Sequence, residues 1–173
     1  ALPISFSQPE REAEWNHWYS THLDVLLSVP GFSTAQRFVS TMPCRAPYLA
    51  AYSVTDAAVF DSVPYRQRGG RGSPGAWAPL MINWDRNLFG GLAQMPAVGP
   101  EQYLAVMDDV PGLAPFLNLK PHDLHCVGLD RTVQRRRLAV LAAGEYIALS
   151  GKSEANMRFY KALTPQLRAT PCA

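Results

Sequence analysis

Residues 10–32 read EREAEWNHWYSTHLDVLLSVPGF, and the rest of the chain is organised around them. Trp15, Trp18, Tyr19, His22, Leu26 and Val29 recur at steps of three and four, which predicts one face of an amphipathic helix. His17, Ser20, Thr21 and Asp24 fall mostly on the other side. Pro9 supplies a start, Glu10, Glu12 and Glu14 lie where the helix dipole favours negative charge, and Pro30-Gly31 forbids continuation. Such a face predicts one wall of an apolar pocket. Within it His22 is the group best suited to exchange a proton at neutral pH.

Short strands and a second helix surround this segment. Residues 3–7 form a strand candidate closed by Pro9. Residues 33–40 form another, with Ala35, Arg37 and Val39 on one face and Gln36 and Phe38 on the other. Residues 48–54 are a strand with Tyr48, Ala50, Tyr52 and Val54 on one side. Thr55 or Asp56 caps a helix running to about Tyr65. RQRGGRGSPG (66–75) is a loop, and 83–89 is a fourth strand. The order β-α-β-β-α-β is that of a ferredoxin-like unit, an antiparallel sheet with both helices on one face.

Residues 96–173 repeat the theme imperfectly. Strands are predicted at 102–107, 129–138 and 145–151, and a helix at 153–163. Residues 48–60 align with 146–159, each a tyrosine-led strand entering a capped helix. Pro111, Pro115 and Pro121 rule out a regular long helix over 110–123. A single such sheet leaves one face bare, and two back to back cover it. The predicted fold is therefore α+β, with a half at 1–95 and a degenerate half at 96–173. Together they form one intrachain pseudo-twofold barrel.

Of the 173 residues 47% are hydrophobic and 17% charged, a composition for a packed core rather than disorder. The net charge of +2 offers no nucleic-acid track, and Arg135-Arg136-Arg137 and Arg66/Arg68/Arg71 read as solvated faces or strand edges. Three cysteines without a C-x-x-C pair fit a reducing compartment and offer no zinc site. No apolar run approaches a membrane span, and the amino terminus lacks the pattern of a signal peptide. The expected location is cytoplasmic.

Several side chains carry candidate chemistry, each with a structural alternative. Tyr19, one turn from His22, can donate to a carbonyl or enolate oxygen, or be a half-buried core tyrosine. Arg37, beside Tyr48 and Tyr52, can clamp a carboxylate, or lie at a sheet edge. Trp84-Asp85-Arg86 poses the same choice. His122 and His125 form H-x-x-H without an evident third ligand, so a histidine entering the pocket from the second half is preferred to a metal site. Gly69-Gly70-Arg71-Gly72 lacks the G-K-[ST] of a phosphate loop and reads as a lid or surface loop.

The run E-x-E-W-N-x-W-Y-x-x-H-L-x-x-L-L-x-V-P-G-F, followed by x-A-x-R-F, resembles the helix-to-strand signature of the dimeric α+β barrel superfamily in its EthD-like branch. PYLAAYSV (47–54) and WAPLMINWDRNLF (77–89) are similar to it as well. The resemblance covers residues 1–90 and reaches the second half only through architecture. It implies a pocket between sheet and helices with His22 inside, and chemistry among cofactor-free isomerases, cyclases, dehydratases, lyases and small oxygenases, a few of them haem-binding. Ser20 stands where acidic residues often follow W-Y, and Leu23-Asp24 replaces the usual x-P after the histidine.

The expectation is a lyase or isomerase acting without a cofactor on a small aromatic or polyketide-like molecule. His22 would be the acid/base, with Tyr19, Arg37 and Arg86 polarising a carbonyl. Trp15, Trp18, Tyr52, Trp84 and His122 would line the pocket. Neither a metal, a nucleic acid nor a membrane is expected as partner, and a homodimer is compatible with the resemblance. A cofactor-free or haem-dependent oxygenase, and a non-catalytic binding or assembly protein, stand as alternatives.

Overall fold

In a computed structural model describing residues 2–109, 119–151 and 157–170, Pro9 opens a single 3-10 turn that passes into α1 (Glu12–Leu27). Trp15, Tyr19, His22, Leu23, Leu26 and Leu27 are buried on its inner face, while His17, Ser20, Thr21 and Asp24 meet solvent. Each buried leucine contributes about 2 kcal/mol by leaving water. The helix ends as expected. Pro30 removes a donor, and Gly31 takes φ +97°, a left-handed conformation that strains any residue with a Cβ.

The chain is mixed α+β, with a mostly antiparallel sheet and few helices. Its strands are β1 (Leu2–Phe6), β2 (Phe32–Ser40), β3 (Tyr48–Val54), β4 (Met81–Ile82), β5 (Asn87–Gly90), β6 (Gln102–Asp108), β7 (His122–Leu129), β8 (Arg135–Ala142), β9 (Met157–Ala162) and β10 (Leu167–Arg168). Their order is β4-β1-β3-β2-β9-β6-β8-β7-β5, with β10 also on β2. The helix predicted over 56–65 is divided, because Asp56 caps a 3-10 turn (Ala57–Asp61) and Ser62 then caps α2 (Val63–Arg68). Of the strand predicted over 83–89 only the end is extended, as β5; residues 83–86 are irregular, with Asn83 at φ +49°, and divide β5 from β4.

That division lets one stretch serve both ends of the sheet. β4 pairs with β1, β5 pairs with β7, and only residues 83–86 separate them. Five residue steps span at most about 18 Å. Within the link Asp85 N–H donates to the Pro3 carbonyl (3.3 Å) and the Arg86 carbonyl accepts from Asp130 N–H (2.8 Å). Leu49 of β3 and Leu124 of β7 share one apolar cluster although five strand spacings, about 24 Å in a flat sheet, separate them along the order. The sheet curls until its ends are close.

Three apolar clusters follow from strand alternation. Ala35, Tyr48 and Ala50 face α1 with Trp15 and Leu23. Phe38, Leu49 and Ala51 face inward with Leu104, Val106 and Leu138. Ala105, Met107, Ala139, Leu141 and Phe159 face outward under α3 (Ala143–Ser150). No helix among the described residues is long and apolar enough to cross a membrane.

The second half departs from its predicted elements. The strand expected at 145–151 is α3, whose first turn is closed by Glu145 accepting from Ala142 N–H (2.7 Å) and whose Tyr146 and Leu149 pack on the sheet. A short apolar run fits helix or strand equally by pattern, and the glutamate cap decides it here. The helix expected at 153–163 is strand β9 over its described part, and 153–156 lie outside the described residues. The alignment of 48–60 with 146–159 fails accordingly. The strand expected at 129–138 is broken by a turn with Leu129 and Arg131 at positive φ. Residues 122–129 are β7, where no strand is predicted before 129, and most of the proline-bearing segment before them lies outside the described residues.

At Gly31 an added Cβ would lie 2.1 Å from Val59 Cγ2, whereas at Gly72 it would meet nothing within 4 Å. Gly31→Ala should lower stability by about 2 kcal/mol, and Gly72→Ala should leave it unchanged. Urea unfolding of the two variants checks this; equal stability would refute the steric account of the turn.

Candidate functional site

Two adjoining cavities lie beside α1, the larger of them along the end of β3. The larger cavity is about 130 Å³. Consecutive residues Ala51 to Val54 line it, as do consecutive residues Arg86 to Phe89. Neighbours on a strand point to opposite faces, so the cavity borders both faces of these segments and opens into the inner core. Its remaining walls are largely aliphatic, with Leu104, Val106, Leu124 and Leu138 among them. The smaller cavity, about 30 Å³, is lined by Trp18, Tyr19, His22, Ser73, Trp84 and others. Leu26, Tyr65 and Arg86 line both.

His22 projects inward from α1 and is 8% exposed. Trp18 stacks on its ring at 4.8 Å, and Tyr19 meets it edge-on at 6.0 Å. Burial pushes its pKa down to about 4, because imidazolium loses hydration that the site does not replace. The imidazole is thus neutral at physiological pH. Nε2 lies 3.4 Å from Ser73 Oγ, the long end of hydrogen-bond range, so the ring is held loosely and can exchange this partner for a guest's oxygen. The void beside it accommodates one or two water-sized groups. The roomy hollow is next door, across Leu26, Tyr65 and Arg86.

Around this small cavity, donors are left over. Trp84 Nε1 and Arg86 Nε are buried without a hydrogen-bond partner. Arg86 is otherwise engaged: its backbone N–H and its Nη2 reach Asp130 (2.9 and 3.4 Å), which also pairs with Arg71. Tyr52 lines the larger cavity, and its buried hydroxyl lies next to that of Tyr19, too loosely placed for a well-formed hydrogen bond. Burial raises its pKa well above the usual tyrosine value, with Tyr19 adding to the rise and Arg37 opposing it. Tyr52 therefore remains a neutral donor.

Other predicted residues fall elsewhere. Arg37, 2% exposed, lies under α1 and lines neither cavity. It donates to the Asn16 side chain (2.8 Å) and main chain (3.2 Å), and its guanidinium packs over Tyr19 (4.1 Å), Trp15 (4.9 Å) and Tyr48 (5.5 Å). Its role is to join helix to sheet. Trp15 is fully buried between Phe6, Tyr19 and Tyr48, core rather than pocket wall. His122 and His125 are exposed on β7. Three residues apart on a strand, they point to opposite faces and cannot converge on one ion. Among the described residues no group of three His, Cys, Asp or Glu is placed to hold a metal.

Two contributors escaped the sequence reading. Ser73 sits in the glycine-rich loop, and nothing in its spacing ties it to His22. Arg136 belongs to the triplet expected at a solvated edge, yet Arg136 and Arg137 are buried. Arg137 reaches Asp123 at 3.7 Å. Strand alternation alone required the middle arginine to face opposite its neighbours, and that signal was available.

His22 ties stability to acidity. Its folded pKa is depressed, so the unfolded chain takes up a proton near pH 6.5 that the folded chain refuses until about pH 4. Stability is then lost as pH falls through that window, on the order of 3 kcal/mol, with no further change from this group below it. Urea unfolding of wild type and His22→Gln between pH 7 and 4 should show the wild type losing stability faster. A pH-independent difference between the two would refute it.

Compared with protein-family models, curated proteins and solved structures, the chain matches none. Its function has to be read from the chemistry of the site itself.

Proposed function

We propose that the chain is a cofactor-independent lyase or isomerase for a small aromatic or polyketide-like carbonyl compound. The observation that carries this is the shared wall. His22, Trp84 and Arg86 line a water-sized cavity, the last two each with an N–H that has no partner among the described residues, and the largely apolar cavity beside it, about 130 Å³, approaches the size that holds a ring. An apolar cavity of about 150 Å³ admits benzene. The guest's body would occupy the larger cavity and its carbonyl oxygen the smaller.

In the first step His22 takes the proton from the carbon next to the carbonyl. The C–H electron pair moves to form the C=C bond, and the carbonyl oxygen becomes an enolate facing Trp84 Nε1 and Arg86 Nε. A base of pKa about 4 is weak in the empty site. Negative charge developing beside it raises its basicity as the proton moves. The imidazolium then returns the proton to another carbon, an isomerisation, or to a departing hydroxyl, which leaves as water. Nothing besides the substrate is consumed.

The strand order supports the same reading of the fold. The ranks fourth, first, third, second occur as β4-β1-β3-β2 and again as β9-β6-β8-β7. This is the order of the ferredoxin-like unit, and we read the two sets as pseudo-twofold halves of one barrel joined at β2–β9.

Deuterium uptake at the α-carbon of a small aryl ketone in D2O, followed by NMR, tests the step without knowledge of the natural substrate. Wild type should exceed buffer, and His22→Gln should fall by about 100-fold or more while remaining folded. Exchange in His22→Gln equal to wild type, or none in either, would sink the proposal.

A further inference from the structure

The apolar cavity has a cationic residue at its inner end that the proposed reaction does not use. Arg136 lines it and is 1% exposed. Through Nε (2.6 Å) and Nη2 (2.7 Å) it grips both oxygens of Asp108, its cross-strand neighbour, to which Arg158 also bonds. That edge-on fork occupies one side of the guanidinium. Nη1, at the remaining corner, is buried and has no hydrogen-bond partner among the described residues. The guanidinium packs 4.8 Å over Phe89, another wall of the cavity.

A buried N–H without an acceptor costs about 1–3 kcal/mol, and a guest oxygen placed there would relieve it. Two arginines and no acidic residue line this cavity among the described residues. Asp108 is shared between two arginines, so the inner-face trio carries a surplus positive charge. An anion is therefore favoured over a neutral polar group. Three residue steps separate Arg86 from Phe89, at most about 11 Å, the span of a substituted ring.

We propose that the guest is a small carboxylic acid whose carboxylate binds Arg136 Nη1 and whose ring or short chain fills the cavity toward Arg86. This deepens the proposed function and rests on its assignment of the larger cavity as the substrate chamber. The substrate class is then a keto acid, anchored by its carboxylate at Arg136 with its carbonyl delivered to the His22 end. Arg136 is the specificity residue.

Benzoate and toluene, matched in shape and differing in charge, are the probes, titrated by calorimetry and by NMR. Wild type should bind benzoate at least 10-fold more tightly than toluene. Arg136→Met should lose at least 10-fold for benzoate and keep toluene. Toluene bound as tightly as benzoate in wild type, or benzoate unaffected by Arg136→Met, overturns the carboxylate anchor and leaves the chamber standing. Neither probe bound by wild type overturns both. Should Arg136→Met fail to fold, the wild-type guanidinium ¹⁵N resonances decide: a shift of Arg136 with benzoate but not toluene supports the anchor, and no shift refutes it.

Discussion

The hydrogen bonding of residues 81–90 to strands at opposite ends of the sheet is the constraint on which the rest depends. Asp85 reaches back to Pro3 while its neighbour Arg86 reaches forward to Asp130. A sheet held in this way cannot lie flat, and its inner face becomes a core rather than an exposed surface. The larger cavity lies where those ends approach, lined by residues 51–54 of β3 and by 86–89. The smaller one shares Leu26, Tyr65 and Arg86 with it.

Arg37, Arg86 and Arg136 show how the same side chain takes different parts according to its partners. Arg37 has aromatic faces and an amide around it, contacts worth about 1 kcal/mol each, and it is spent on structure. Arg86 and Arg136 are each oriented by an aspartate that leaves one N–H over. An aspartate that satisfies only part of a guanidinium fixes its position and keeps a donor in reserve. This separates a binding arginine from a packing one more reliably than burial does, since all three are largely withdrawn from water.

Much of the first half was legible because its signals are local. The period of Trp15, Tyr19, His22 and Leu26, the stop at Pro30-Gly31 and the alternation of 48–54 all encode short-range geometry. The second half was misread where local signals conflict. EYIALS suits a strand by composition, yet Glu145 turns it into a helix by capping Ala142. His22 was found through its helix face, but the space beside it was overestimated. Cavity volume depends on what Ser73 and Trp84 bring from remote loops, and no spacing reveals that. Arg37 was misplaced for the same reason, since its strand face was right and the depth of α1 above it was not visible.

Gln36, fully buried on β2, holds Val98 through both its amide groups and also donates to the Thr164 carbonyl. With β10 returning to β2, the end of the chain is knitted into its beginning. Cutting such a molecule near residue 95 would not yield two working pieces. The amino-terminal fragment would carry β5 with nothing to pair it, and the carboxy-terminal fragment would lose the strand on which its own tail docks. Each piece keeps an edge that only the other can cover.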